Sequence, residues 1–196
     1  MVQAAPGESR PGQASQTPIK DHLAVGAVDV CYDGSGGARA ALVVCRGLVC
    51  SKVESEHVAV VSQTAPYEPG ALFKRELPGI QAVLAIGPRL ELLLVDGYAT
   101  LDPQGRPGLG AHAAAAFGLP VIGVAKTLFR AATHAAEVRR GAATRPLYIT
   151  AVGLETVVAA RIVAAMAGPH RIPDALARAD RLSRGLVRPA TAQPAS

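Results

Sequence analysis

A chain of 196 residues, 49% hydrophobic and 18% charged, has the length and balance of one globular domain with its own core, which excludes a fibrous or wholly disordered class. Its formal charge of +5 is compatible with a polyanionic partner, because Lys and Arg displace counterions from phosphates. The three cysteines, Cys31, Cys45 and Cys50, are odd in number and lack C-x-x-C spacing, so reduced thiols are expected in place of a disulfide framework or zinc knuckle.

No apolar run has the length of a membrane span or a signal-peptide core, so no membrane partner and a cytoplasmic location are expected. Residues 1–20, rich in Pro, Gly, Ser, Gln and Ala, read as a disordered leader, and residues 188–196 as a similar tail. A single domain over residues 21–187 lies between them, and a monomer is expected.

The domain opens with three successive strands. Val25 to Cys31 is the first, a turn cluster Asp33-Gly34-Ser35-Gly36-Gly37 leads to Ala38 to Cys45, and Arg46-Gly47 turns into Leu48 to Val61. Such an order is an antiparallel meander. Asp29 sits inside the first strand between Val28 and Val30, where a carboxylate is costly unless it faces solvent, a cation or a donor.

A loop by composition, Gln63 to Gly70, precedes apolar positions Ile80, Val83, Leu84 and Ile86 at roughly helical period. A helix over Leu77 to Ile86 follows, with Pro78 tolerable only in its first turn, so Glu76 stands at or just before the helix start. There its ordinary role is a first-turn acid favouring the helix dipole.

Leu92 to Asp96 is four apolar residues and a carboxylate, bounded by Pro88 and Gly97, and reads as a strand buried on both faces. Gly108 to Phe117 is an Ala-rich helix ended by Gly118, and Pro120 to Lys126 is another buried strand. Strand, helix and strand in this rhythm make a βαβ unit with a parallel pair. A short strand over Pro146 to Thr150, a helix over Glu155 to Met166 and a last helix over Pro173 to Arg184 complete the domain.

If the first strand lies beside the Asp96 strand, Asp29 and Asp96 point into one site and Glu76 closes it from the side. Three carboxylates that close do not all stay ionised without cations. Hard oxygen donors of this kind suit Mg²⁺ or Mn²⁺, as one ion or as a pair about 3.5–4 Å apart that stabilises attacking and leaving oxygens in phosphoryl transfer.

Several stretches in this order resemble the endonuclease V family: Ala27 to Tyr32, Pro66 to Gly70 with Phe73 to Glu76, Val95-Asp96-Gly97, Gly108 to His112, Ile122 to Lys126, and Arg171-Ile172-Pro173-Asp174 through Asp180. The resemblance runs from about His22 to Leu182. It implies a ribonuclease H-like α/β fold, the meander followed by parallel strands in a mixed sheet flanked by helices. It also implies an activity, nicking of DNA or RNA on the 3′ side of a deaminated base (inosine) in DNA repair or nucleic-acid quality control.

By the same resemblance Asp29, Glu76 and Asp96 hold the metal, a metal-activated water attacks phosphorus, and Lys126 stabilises charge near the scissile phosphate. Tyr67 and Pro69 form a wedge that fills the space of a base turned out of the helix. His112 and Asp180 are outer residues of the metal site, and Gly97, Tyr98 and Gly108 line the base pocket. The chain departs from the family pattern at Tyr98, Ala99, Asp102 (where the family has His before Pro) and Leu154. These departures gather around the nucleotide pocket. Two alternatives stay open: a non-cleaving nucleic-acid-binding relative, and a ribonuclease H-like nuclease with a structured or RNA substrate.

Overall fold

The computed structural model describes residues 22–34, 36–66, 68 and 71–190. The expected leader therefore lies outside the described residues, as do Tyr67 and Pro69 of the expected wedge.

The meander consists of β1 (Ala24–Tyr32), β2 (Ala38–Arg46) and β3 (Val53–Val61), paired antiparallel in sequence order. The third strand begins five residues later than its β-rich composition predicts. Gly47 at φ +72° and Cys50 at φ +52° coil residues 47–52 into a turn, in which the Cys50 amide donates to the Gly47 carbonyl. Cys50 is thereby tucked into the core at 5% exposure, and all three cysteines are free thiols.

The chain then passes through α1 (Phe73–Ile86), β4 (Leu92–Asp96), α2 (Leu109–Phe117) and β5 (Val121–Ala125). The helix α1 starts a turn earlier than Leu77, so Glu76 is its fourth residue and Pro78 lies within it. No side chain caps this start; the Lys74 and Arg75 amides donate to the Ala71 and Leu72 carbonyls instead. The expected end of α2 is observed, with Gly118 left-handed at φ +66° and its amide donating to the Ala114 carbonyl.

Two short strands, β6 (Ala136–Val138) and β7 (Leu147–Val152), and the helices α3 (Thr156–Ala165) and α4 (Asp174–Ser183) follow. The seven strands form one sheet in the order β3-β2-β1-β4-β5-β7-β6. β1, β4 and β5 run parallel, and β7 returns antiparallel to β5.

The helices α1 and α2 pack on one face, where Ile80, Val83 and Ala113 join Val28, Leu42 and Leu93 in a core. On the other face α3 and α4 seat Val163, Leu176 and Leu182 against Val43, Leu94 and Ile122. Both faces of β4 are thus covered, which is why it reads as an unbroken apolar run. No helix among the described residues is long and apolar enough to cross a membrane.

Candidate active site

The parallel pairing of β1 and β4 sets Val28 opposite Val95. One residue further along each strand comes its acid, Asp29 and Asp96, at the carboxyl end where open α/β sheets bind ligands. Glu76 reaches the same place from the first turn of α1, and Asp180 from α4. The four carboxyl groups line one cleft of about 360 Å³ together with Tyr32 and Arg184.

Partners and charges are unevenly shared among them. The Ser183 hydroxyl, on a residue 2% exposed, donates to Asp29 Oδ2 at 2.5 Å. Burial still raises the Asp29 carboxyl, the Ser183 hydrogen bond opposes the rise, and the charges of Asp96 and Asp180 add to it. Lys126, just past the end of β5, donates its ammonium to Asp96 Oδ2 at 2.5 Å. Glu76 has no such cation: burial first, and then the charges of Asp29 and Asp96, push its carboxyl up to about 8, against the pull of Tyr32 and Arg75.

The donor set is all oxygen, which suits a hard divalent ion, and the charges of Asp29 and Asp96 add to burial in raising Glu76. Among the described residues, however, no three His, Cys, Asp or Glu side chains stand in a geometry that could hold a metal ion as they are placed. Lys126 and Ser183 occupy acceptor positions on two of the acids. The residues fit a hard divalent cation by chemistry, and these two partners take part of the place it would use.

Beside the cleft lies an apolar pocket of about 330 Å³ that shares Glu76 and Asp96 with it and includes Gly97, Tyr98 and Gly108 in its wall. Gly108 has no room for a side chain, because a Cβ there would stand 2.5 Å from the Tyr98 carbonyl oxygen. Ala99 takes a position where close approach favours Gly, and the accommodation is reciprocal. Ala99 is fully buried, and Gly110 opposite it lacks the Cβ that would meet Ala99 Cα and Cβ at 2.8 Å.

His112 is not among the residues that line the cleft. Its ring stacks on Phe73 with centroids 3.5 Å apart and planes 13° from parallel, so it supports the pocket wall from behind. Asp180 does reach the cleft, where it accepts from Arg184 Nε at 2.9 Å, while the neighbouring Arg178 turns away to chelate Glu56. Ser183, Tyr32 and Arg184 carry no expectation from sequence. Ser183 and Arg184 follow Asp180 by three and four residues on α4, and that helical spacing was the available signal.

A mixed sheet flanked by helices, with Asp29 and Asp96 at the ends of its adjacent parallel strands, has the architecture of the ribonuclease H-like class. The model of the endonuclease V family matches residues 12–159. The endonuclease V of Thermococcus kodakarensis is 35% identical over 162 residues, covering 82% of this chain and 78% of that protein. The chain belongs to the endonuclease V family and is an endonuclease.

Solved structures agree with this fold. The catalytic domain of human endonuclease V superposes with a TM-score of 0.71 at 30% identity, covering 91% of this chain and 89% of the other. Ciona intestinalis endonuclease V, crystallised with a 23mer DNA containing an inosine followed by a ribo-adenosine, shares the fold. Its TM-score is 0.73 at 22% identity, with 88% of this chain and 87% of the other covered.

Proposed function

We propose that this protein is a divalent-metal-dependent endonuclease that nicks nucleic acid on the 3′ side of a deaminated base, inosine above all, in DNA repair, and that it works as a monomer in the cytoplasm. The observation that carries the reading is the register of β1 and β4, which sets Asp29 beside Asp96 with Glu76 facing both across one cleft. Family membership and the DNA complex of the Ciona relative support the substrate class.

Asp29, Glu76 and Asp96 would hold the ion, Mg²⁺ or Mn²⁺ by the hardness of their oxygens. Such an ion supplies a Lewis acid and lowers the pKa of a bound water. The remaining chemistry belongs to the chain. Ser183 fixes one oxygen of Asp29 and leaves the other free to accept. Lys126, already bonded to Asp96, has two further ammonium protons with which to stabilise charge on a phosphate oxygen. Arg184, anchored to Asp180 through Nε, keeps its terminal nitrogens for substrate phosphate at the rim.

A base turned out of its stack would enter the apolar pocket, whose shared wall of Glu76 and Asp96 keeps it next to the phosphate to be cut. Gly97, Tyr98 and Gly108 would shape that pocket, with His112 bracing it through Phe73 and Asp180 ordering the outer side of the cleft. Tyr67 and Pro69 would wedge into the gap the base leaves.

The test is a nicking assay on matched DNA and RNA oligonucleotides carrying one inosine, with Mg²⁺ or Mn²⁺, with a chelator, and with Asp29→Ala. Cutting beyond the inosine on its 3′ side, lost with the chelator and in the variant, is the expected result. No cutting of any inosine strand by the wild type with either ion would reject the reading.

A further inference from the structure

The pocket beside the cleft has Leu72, Phe73, Leu101 and Phe129 in its wall together with the acids Glu76 and Asp96, and Arg106 is the one cation among the described residues that line it. Its position is fixed from several directions. The loop that carries it is a tight turn, closed by a bridge between Thr100 and Pro107 and by the Leu101 amide donating to the Arg106 carbonyl at 2.8 Å. Asp102 accepts from the Arg106 amide at 2.9 Å and from Nε at 3.0 Å. The guanidinium carbon lies 5.7 Å from the centroid of the Phe129 ring.

Phe129 is itself held, since its amide donates to the Tyr98 hydroxyl and that hydroxyl donates to the Thr127 carbonyl, each at 2.9 Å. The Thr100 hydroxyl and His134 Nε2 join the same two loops at 2.7 Å. Asp102 engages only one edge of the guanidinium, and among the described residues its two terminal nitrogens have no hydrogen-bond partner.

We infer that Arg106 is a specificity-determining residue that donates hydrogen bonds to the C6 carbonyl oxygen of a purine base held in this pocket. The inference rests on the proposed function, because it needs a base to enter there. A guanidinium only donates and is never deprotonated in proteins. Hypoxanthine presents an acceptor at C6 where adenine presents an amino donor, so the same group that binds one base meets a like donor on the other. The Arg106 side chain is 53% exposed, so with adenine its guanidinium turns to water while the base loses its hydrogen bond at C6, and the preference comes from that lost bond. The two other charged groups in the wall, Glu76 and Asp96, are the acids that would hold the ion, and as carboxylates around it they have no donor for an oxo group. Guanine shares the C6 oxygen, so Arg106 sets the choice at C6 and does not by itself exclude guanine.

The experiment compares single-turnover nicking of strands identical but for one base, hypoxanthine or unsubstituted purine, which lacks the C6 oxygen. It uses the wild type, Arg106→Met and Arg106→Lys, each checked for folding by circular dichroism, over a series of salt concentrations. The wild type should favour hypoxanthine. Arg106→Met should reduce that rate ratio about tenfold or more, and Arg106→Lys should reduce it less, with the salt slope of binding close to wild type. A ratio within about twofold of wild type, with both rates falling together and a shallower salt slope, would overturn the inference in favour of a phosphate contact. If Arg106→Met does not fold, Arg106→Ala, which also removes every donor, takes its place, and an unaltered ratio there rejects the inference equally. Failure of the wild type to nick hypoxanthine strands at all would reject the proposed function, and this inference with it.

Discussion

Glu76 shows how much of this site is set by a single residue's surroundings. Its carboxyl titrates near 4.5 when unperturbed and at about 8 in the folded chain, because burial and the charges of Asp29 and Asp96 all disfavour ionisation. Between those values the folded state binds more protons than the unfolded one, so stability is greatest below the lower value and falls as pH rises through the upper one. Metal-free wild type should therefore lose thermal midpoint between about pH 5 and pH 9, and Glu76→Gln should flatten the loss. An equal slope in the two proteins would contradict the assignment. Thr150 governs a neighbouring contact. It is fully buried, and its hydroxyl oxygen accepts from the Ala99 amide at 2.7 Å, fixing the turn after Asp96. Thr150→Val orphans that amide and should cost about 1–3 kcal/mol, read by denaturant unfolding, whereas Thr150→Ser keeps the acceptor and most of the stability. Neither Thr150 nor Ser183 was legible as a partner in the sequence, since each acts on a residue far away in the chain through packing that only the sheet creates.

At the scale of elements, β5 decides where the turn after β4 can lie. A Cβ on Gly123 would stand 2.3 Å from the Ala99 amide nitrogen and 2.7 Å from the Gly97 carbonyl oxygen, which are backbone atoms with nowhere to swing. Gly123→Ala should destabilise by about 1–3 kcal/mol and slow nicking by moving the pocket wall. Gly34→Ala, with nothing within 4 Å of the added carbon, should change the unfolding free energy by less than about 0.5 kcal/mol. The buried strands and the Gly-ended helix were legible because periodicity and capping act locally. The start of α1 was not, since backbone carbonyls replace a capping side chain there and Pro78 reads as a first-turn residue. The turn at residues 47–52 was hidden for a related reason. Cys50 adopts a left-handed conformation that composition does not announce, in a stretch whose residues otherwise favour a strand. β6 is three residues long, too short for alternation to register.

Across the whole molecule, the meander and the βαβ unit were both readable, and joining them along β1 and β4 is what turns four scattered acids into one cleft. The expected adjacency of Asp29 and Asp96 follows from that topology. Legibility ends at the pocket, where Tyr98 and Arg106 stand in the wall, Asp102 holds Arg106 from outside it, and the chemistry depends on two loops meeting. A divalent ion bound in the cleft should stabilise the whole fold, by roughly 2.7 kcal/mol at a hundredfold excess over its dissociation constant. Calorimetry with and without Mn²⁺ would register it as a raised midpoint, absent in a double Asp29→Asn, Asp96→Asn variant. The most direct test of the central claim is the single-turnover rate at which Asp96→Asn, shown to melt as a folded protein, nicks an inosine-containing strand in Mg²⁺ or Mn²⁺. A fall of about 1,000-fold or more, the loss of several kcal/mol of charge stabilisation, is the result this cleft predicts. A rate within tenfold of wild type would show that the reaction takes place without it.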